Sequence, residues 1–235
     1  MTETTHENKK IRKSQKTQER IIDCFLEMIS IKKWDKISVK EICAKAGITR
    51  GTFYQYFNDI YDLMEQIQAP MFEDLNRRFH KIKQMPRSPL PAELFPEKFD
   101  FTPPETLKQW FFFCKKYRKS MSALLDRQNG DTYFVKRMKV ILSEYINHMM
   151  DQDGMPHDAL REHFVKVFLE LHFLSATIWL TTEEEDFLSI QDILNLLNTM
   201  RVGANYLTYQ RMVNPDFDNR MHIEEEDDMI EPDCD

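Results

Sequence analysis

Arg50, Thr52, Tyr54 and Gln55 lie close together in the stretch SVKEICAKAGITRGTFYQYF, residues 38–57, and between them carry groups that grip or read a nucleic acid. The Arg50 guanidinium can form a bidentate pair with guanine or neutralise a phosphate, and the Gln55 amide matches the edge of adenine. Thr52 and Tyr54 are neutral donors of the kind that hold phosphate oxygens. They can act together only if they share an outward surface. Phe53 and Phe57, four apart, would bury one helix face together, turning Arg50, Gly51, Thr52, Tyr54, Gln55 and Tyr56 outward or sideways. Gly51 falls in the first turn of that helix, where it costs roughly 1 kcal/mol relative to alanine. Close approach of the backbone to a partner would give it a reason.

Two short helices must position these groups. Ser38 followed by Glu41 has the spacing of a capping box, in which the serine oxygen takes an orphan backbone N–H and the glutamate reaches back to the cap. Ile42 and Ala46 continue the first helix on one face. Gly47 can adopt positive φ and stop it at little steric cost, and Thr49 can cap the second. Two-helix turns also occur as plain packing units. Here cap spacing, turn glycine and a polar outward face agree, which favours DNA.

The region from about Thr17 to Met64 resembles the N-terminal DNA-binding domain of the tetracycline-repressor (TetR) family. QERIIDCFLEMI is similar to its first helix, SVKEICAKAG to its second, and ITRGTFYQYF to its turn and recognition helix, followed by the family's Asp-Leu pair at Asp62 and Leu63. The resemblance covers about a quarter of the chain. It implies a three-helix head, residues 15–70, on an all-α body, residues 71–213. It also implies a homodimer whose recognition helices enter successive major grooves of a palindromic double-stranded operator. The DNA-contacting set it implies is Ser38, Lys40, Thr49, Arg50, Gly51, Thr52, Tyr54, Gln55 and Tyr56. Two positions depart from the family. Ile60 stands where a phosphate-gripping lysine is usual, and Lys33 rather than glycine precedes Trp34, at a place where a lysine can still favour a helix end through the dipole.

The net charge of −7 suits a DNA binder only when it is divided along the chain. Residues 1–60 hold 12 Lys/Arg against 8 Asp/Glu, whereas residues 214–235 hold 1 against 10. Lys9, Lys10, Arg12, Lys13 and Lys16 make a basic arm, residues 1–14, with its last lysine just beyond. Such an arm can follow phosphates or enter a minor groove, or be a solvated tail. The acidic residues 214–235 read as a disordered tail able to compete with DNA for the basic head. The 42% hydrophobic content supports a substantial core, and no apolar run near bilayer length or secretory leader is read, so a cytoplasmic protein is expected. Cys24, Cys43, Cys114 and Cys234 read as reduced thiols, and the histidines form no metal-binding cluster. No cofactor is expected. Nor is catalysis, since phosphate loop, nucleophile elbow and clustered His, Cys and carboxylates are all missing.

Beyond the head, scarce glycine and helical periodicity favour an all-α chain. Six prolines between Pro86 and Pro104 exclude a continuous helix there, separating a connecting helix over 71–84 from one that starts at Thr102 with Pro103 at its first position and Glu105 completing a capping box. The stretch from Lys115 through Ile146 is loosely similar to the body of one branch of the family. Gly130 and Asp131 break the chain, and Phe134, Met138, Ile141, Leu142 and Tyr145 then recur at helical spacing. Residues 159–181 carry two apolar stripes, one of Phe164, Phe168, Leu171 and Ser175, the other of Val165, Leu169, Phe173, Ala176 and Trp179. Residues 190–211 carry Ile190, Ile193, Leu194, Leu197, Met200, Ala204 and Leu207. The family implies that these two helices, 159–211, form the dimer's four-helix bundle, although an intramolecular pair has the same pattern.

The family also implies an effector pocket in the body. Trp110, Phe113, Tyr117, Met138, Tyr145, His172, Phe173 and Trp179 are candidates to line it around an apolar or aromatic small molecule. Residues at such spacing also serve as plain core, and His172 can be a satisfied core histidine. The expected function is a ligand-released, homodimeric repressor without enzymatic activity. The alternative is a DNA-bound structural protein of the same fold that contacts a protein partner and takes no effector.

Overall fold

The protein is described by a computed structural model that covers residues 3–84, 102–152, 157–182, 188–214 and 216–217. Among these residues the structure is all-α. The order is α1 (Glu3–Ile29), a 3-10 turn (Trp34–Lys36), α2 (Val39–Ala46), α3 (Arg50–Tyr54), α4 (Ile60–Lys83), α5 (Glu105–Lys116), α6 (Arg118–Leu124), α7 (Thr132–Gln152), α8 (Ala159–Thr181) and α9 (Ile190–Val213).

The head closes because its three helices and the start of α4 contribute large apolar side chains to one point. Phe25, Ile29, Ile42, Phe53, Phe57 and Leu63 are fully buried there. Asp59 caps α4 by accepting from the N–H groups of Tyr61 and Asp62, each at 2.8 Å. Asp62 in turn accepts from the Asn58 N–H at 2.7 Å, and this hydrogen bond holds its carboxyl below the usual range. The Asp-Leu pair thus has two separate tasks: Asp62 ties off the turn and Leu63 fills the core.

Head and body share α4. Leu63 and Met64 pack in the head, while Phe72 meets Phe134 of α7 at 5.2 Å between ring centroids and Phe79 meets Tyr145 at 4.6 Å. The expected boundary at residue 70 therefore falls inside a helix, where Pro70 removes one backbone donor and the Tyr117 hydroxyl donates to the Pro70 carbonyl at 3.4 Å. A second junction forms where the Trp34 N–H donates to the Asn129 carbonyl at 3.0 Å. Lys119 of α6 also reaches Asp23 at 2.8 Å and Glu27 at 3.2 Å on α1.

Asp74 is buried and draws Arg77, Arg78 and Lys116 around it, so a lone carboxylate at the α4–α5 contact is compensated by three cations. At the turn after α6, Gly130 is obligatory. A Cβ there would stand 2.5 Å from the carbonyl oxygens of both Leu124 and Asp126.

Several expectations are corrected. Residues 3–14 continue α1 rather than forming a separate arm, because the Lys-rich run contains no helix breaker. Helix α1 ends at Ile29, before Lys33, and the 3-10 turn takes up Trp34. Helix α5 starts at Glu105 without a side-chain cap; the Glu105 carboxylate accepts instead from the Gln109 amide at 2.7 Å. On α8, the core face is the stripe of Val165, Leu169, Phe173, Ala176 and Trp179. The exposed apolar residues are Leu160, Val167, Leu174 and Ile178, outside both expected stripes. Apolar on both sides, α8 is long and apolar enough by composition to cross a membrane, contrary to the expectation of no such run. The expected proline-rich segment and acidic tail lie almost wholly outside the described residues.

Candidate nucleic-acid interface and body cavity

Both sequence-predicted caps of the head form. Ser38 Oγ accepts from the Glu41 N–H at 3.3 Å, and Glu41 Oε2 accepts from the Ser38 N–H at 2.8 Å. The Ser38 hydroxyl donates to the same carboxylate at 2.6 Å and Lys32 Nζ approaches at 2.9 Å, so the Glu41 carboxyl is pulled down to about 2. Gly47 ends α2 at φ +62, the left-handed value that its position requires. Thr49 Oγ1 then accepts from the Thr52 N–H at 3.1 Å and starts α3.

This frame presents Arg50, Gly51, Tyr54 and Gln55 to solvent, beside exposed Ser38, Lys40 and Thr49. Arg50 leads the outward face at the N-terminus of α3, with Tyr54 one turn on. Thr52 and Tyr56 are half-buried. The hydroxyls of Thr49 and Thr52 pair at 3.0 Å, and Tyr56 accepts from the Ser14 hydroxyl at 3.2 Å while its carbonyl accepts from Gln66. Tyr56 is thus also a strut between α1 and the turn, a role that spacing alone did not suggest. Ile60 opens α4 as a half-buried residue packed against the core, so its apolar side chain serves the fold at the position of the missing lysine. Tyr61 is exposed and meets Trp34 edge-on at 5.5 Å, a pair separated too far in sequence for periodicity to reveal.

In the body, a cavity of about 110 Å³ lies between the end of α4 and helices α5, α7 and α8. Three of the eight expected effector residues, Trp110, Tyr145 and His172, line it, together with Phe79, Leu107 and Phe168. The other five do not. Phe113 stacks on Trp110 at 6.1 Å, and Met138 is wholly enclosed in the core. Tyr117 is spent on Pro70, and Trp179 donates its indole N–H to the Leu188 carbonyl at 2.8 Å. Phe173 flanks a different, open groove beside Lys139 and Glu170. Helical spacing identified buried faces but not which buried residues leave a gap between them.

Polar groups in the cavity wall are few. His172 is buried, and burial pushes its imidazole down to about 4, so it is neutral near pH 7. Its Nδ1 lies 2.7 Å from the Phe168 carbonyl, which can only accept; Nδ1 therefore carries the proton. Burial raises the Tyr145 hydroxyl, which also stays neutral. Arg201 at the edge is committed to Asn198 Oδ1 at 2.8 Å and the Thr102 carbonyl at 3.1 Å. No group of His, Cys and carboxylates suited to a metal occurs among the described residues.

Residues 21–67 match the sequence profile of bacterial regulatory proteins, tetR family. The uncharacterized HTH-type transcriptional regulator YvdT of Bacillus subtilis (strain 168) is 35% identical over 66 residues, which are 26% of this chain and 34% of that protein. The match thus spans about a third of that curated relative's length. The chain is similar to the fatty acid degradation regulator FadR from Bacillus halodurans, with a TM-score of 0.50 and 15% identity over 78% of this chain and 93% of that one. A tetR-family transcriptional regulator from Streptomyces coelicolor gives a TM-score of 0.49 and 20% identity over 84% of this chain and 82% of that one. The likeness to the Bacillus halodurans protein is one of fold, a helical head followed by a helical body.

Proposed function

Because residues 21–67 match bacterial regulatory proteins of the tetR family, we propose that this chain is a transcriptional regulator of that kind, which grips a palindromic operator as a homodimeric repressor and is released by a small apolar or aromatic effector. The observation that carries the reading is the outward row of Arg50, Tyr54 and Gln55 on a helix fixed by two satisfied caps. Preorganised side chains of these types can pair with base edges and phosphates without first paying the ordering entropy of a loose loop.

Residues 159–211 supply the dimer surface in this reading. Leu160, Val167, Leu174 and Ile178 make an exposed apolar stripe on α8. Leu196, Met200, Gly203 and Leu207 make a second on α9, with glycine at the place where a facing helix could come closest. Apolar rows of this length are what a second copy would cover. Repression follows if the seated dimer excludes other proteins from the same DNA, and the DNA partner puts the protein's work in the cytoplasm.

Release would be a population shift carried by α4, which holds Leu63 in the head and Phe79 in the cavity wall. An effector that prefers a different tilt of this helix lowers the population of DNA-competent heads by its differential affinity for the two arrangements. The test begins by selecting bound sequences from random DNA. Arg50→Ala should then weaken binding to the selected operator by roughly fivefold or more, on the order of 1–3 kcal/mol for a lost bidentate contact, with the oligomeric state unchanged. Undiminished binding by the variant would refute the assignment of α3.

A further inference from the structure

The cavity beside Phe79 has a chemical signature that narrows what it accepts. Trp110 is fully enclosed, forms part of the wall, and its indole Nε1–H has no acceptor among the described residues. Such an orphaned donor is destabilising unless something supplies an acceptor. Across the same cavity, His172 spends its proton on the Phe168 carbonyl, which leaves Nε2 as a lone-pair acceptor. Besides the hydroxyls of Thr106 and Tyr145, which can turn to donate or accept, the site therefore offers one fixed donor and one fixed acceptor, all neutral, in a wall that is otherwise mostly apolar. Among the described residues no carboxylate lines it, so a cation finds no partner in that wall. Among the described residues the cation at its edge is Arg201, which already serves Asn198 and Thr102, so a buried anion would have to break existing bonds.

Size sets the other limit. A dry cavity of about 150 Å³ lined by aliphatic and aromatic side chains accommodates benzene, and the present cavity is about 110 Å³. Smaller than that but open to solvent on one side, it suits a single ring or a short branched chain that leaves part of itself at the mouth.

Resting on the effector reading above, we propose that this cavity takes a small neutral alcohol or phenol whose hydroxyl accepts from Trp110 Nε1–H and donates to His172 Nε2. A hydroxyl is the smallest group with both functions. Aldehydes and ketones could answer only the indole, and amines arrive charged near neutral pH.

The test uses the full-length protein and four molecules of matched shape: benzyl alcohol, toluene, benzoate and benzylamine, with calorimetry at pH 7.5. Benzyl alcohol should bind at least about tenfold more tightly than each of the others, since a site built to hydrogen-bond a hydroxyl discriminates against analogues that lack it. In a ¹⁵N spectrum it should move the Trp110 indole N–H resonance downfield. The Trp179 indole, already bonded to Leu188, serves as the internal control. His172→Phe should retain toluene affinity and erase the preference for the alcohol. Equal or tighter binding of benzoate, benzylamine or toluene would overturn the hydroxyl assignment while leaving a ligand cavity in place. Binding of none of the four at millimolar concentration would overturn the cavity as an effector site, without touching the DNA-binding reading. An indole resonance unmoved by bound alcohol would remove Trp110 from the site.

Discussion

The Gln68 side-chain amide donates a 2.7 Å hydrogen bond to Asp131 Oδ2, joining the middle of α4 to the residue just before α7, with both partners buried. The other oxygen of the same carboxylate accepts from the Tyr133 N–H at 2.9 Å and so starts α7. One side chain thereby fixes both the beginning of a body helix and its distance from the helix shared with the head.

Removing that carboxylate should cost more than a surface change. Asp131→Ala leaves the Gln68 amide unpaired inside the protein and strips the helix start of its acceptor, an expected loss of roughly 2–4 kcal/mol. Asp131→Asn keeps an acceptor oxygen and should lose less. Urea unfolding of the three proteins measures the difference, and equal stability of Asp131→Ala and the parent would remove this link from the fold's supports.

The turn between α2 and α3 makes a second prediction. No neighbouring atom would crowd a Cβ at Gly47, so the only obstacle to a side chain is the backbone itself at φ +62. Gly47→Ala should destabilise by about 1–2 kcal/mol, and Gly47→Asn by less, because asparagine tolerates left-handed geometry. Thermal melts that rank the two variants the other way would contradict this.

His172 gives stability a pH dependence with a definite sign. Its folded imidazole titrates at about 4 against an ordinary 6.5, so between those values the unfolded chain binds a proton that the folded chain does not. Stability is therefore full above pH 6.5, falls as the pH drops towards 4, and the His172 contribution then levels off. The total is on the order of 3 kcal/mol. A His172→Phe variant should show a flatter profile over that window. Parallel profiles for parent and variant would mean that the imidazole is not the group responsible.

The exposed row on α8 predicts an assembly phenotype. Leu174→Glu combined with Ile178→Glu places two charges where a second copy would need apolar contact. Light scattering should then report a monomer with an unchanged helical spectrum, and operator affinity should drop by about tenfold or more as one head can no longer help the other. A persistent dimer would move the interface elsewhere.

The head was legible in advance because its determinants are local. Ser38, Glu41, Gly47 and Thr49 act within three or four residues of themselves, and each cap stands as its spacing required. The body was less so. Gln68 and Asp131 are 63 positions apart, Trp34 and Asn129 are 95 apart, and no periodicity links such partners. The cavity shows the same limit. Trp110, Tyr145 and His172 were expected and do line it, but Phe79, Leu107 and Phe168 became wall residues only through the way four helices cross. The start of α5 misled because Thr102, Pro103 and Glu105 have a capping box's letters, while the backbone becomes helical only after Pro104.

A Cβ built at Gly51 meets one neighbour, Thr49 Oγ1, at an ordinary 3.8 Å. Among the described residues nothing asks for glycine there, unlike Gly47 with its backbone or Gly130 with its crowded carbonyls. Alanine would make α3 firmer by up to about 1 kcal/mol. Helix α3 is thus softer than its own packing requires. What alanine would add is a methyl group beside Arg50, and the worth of the bare backbone there can be measured only with another molecule pressed against it.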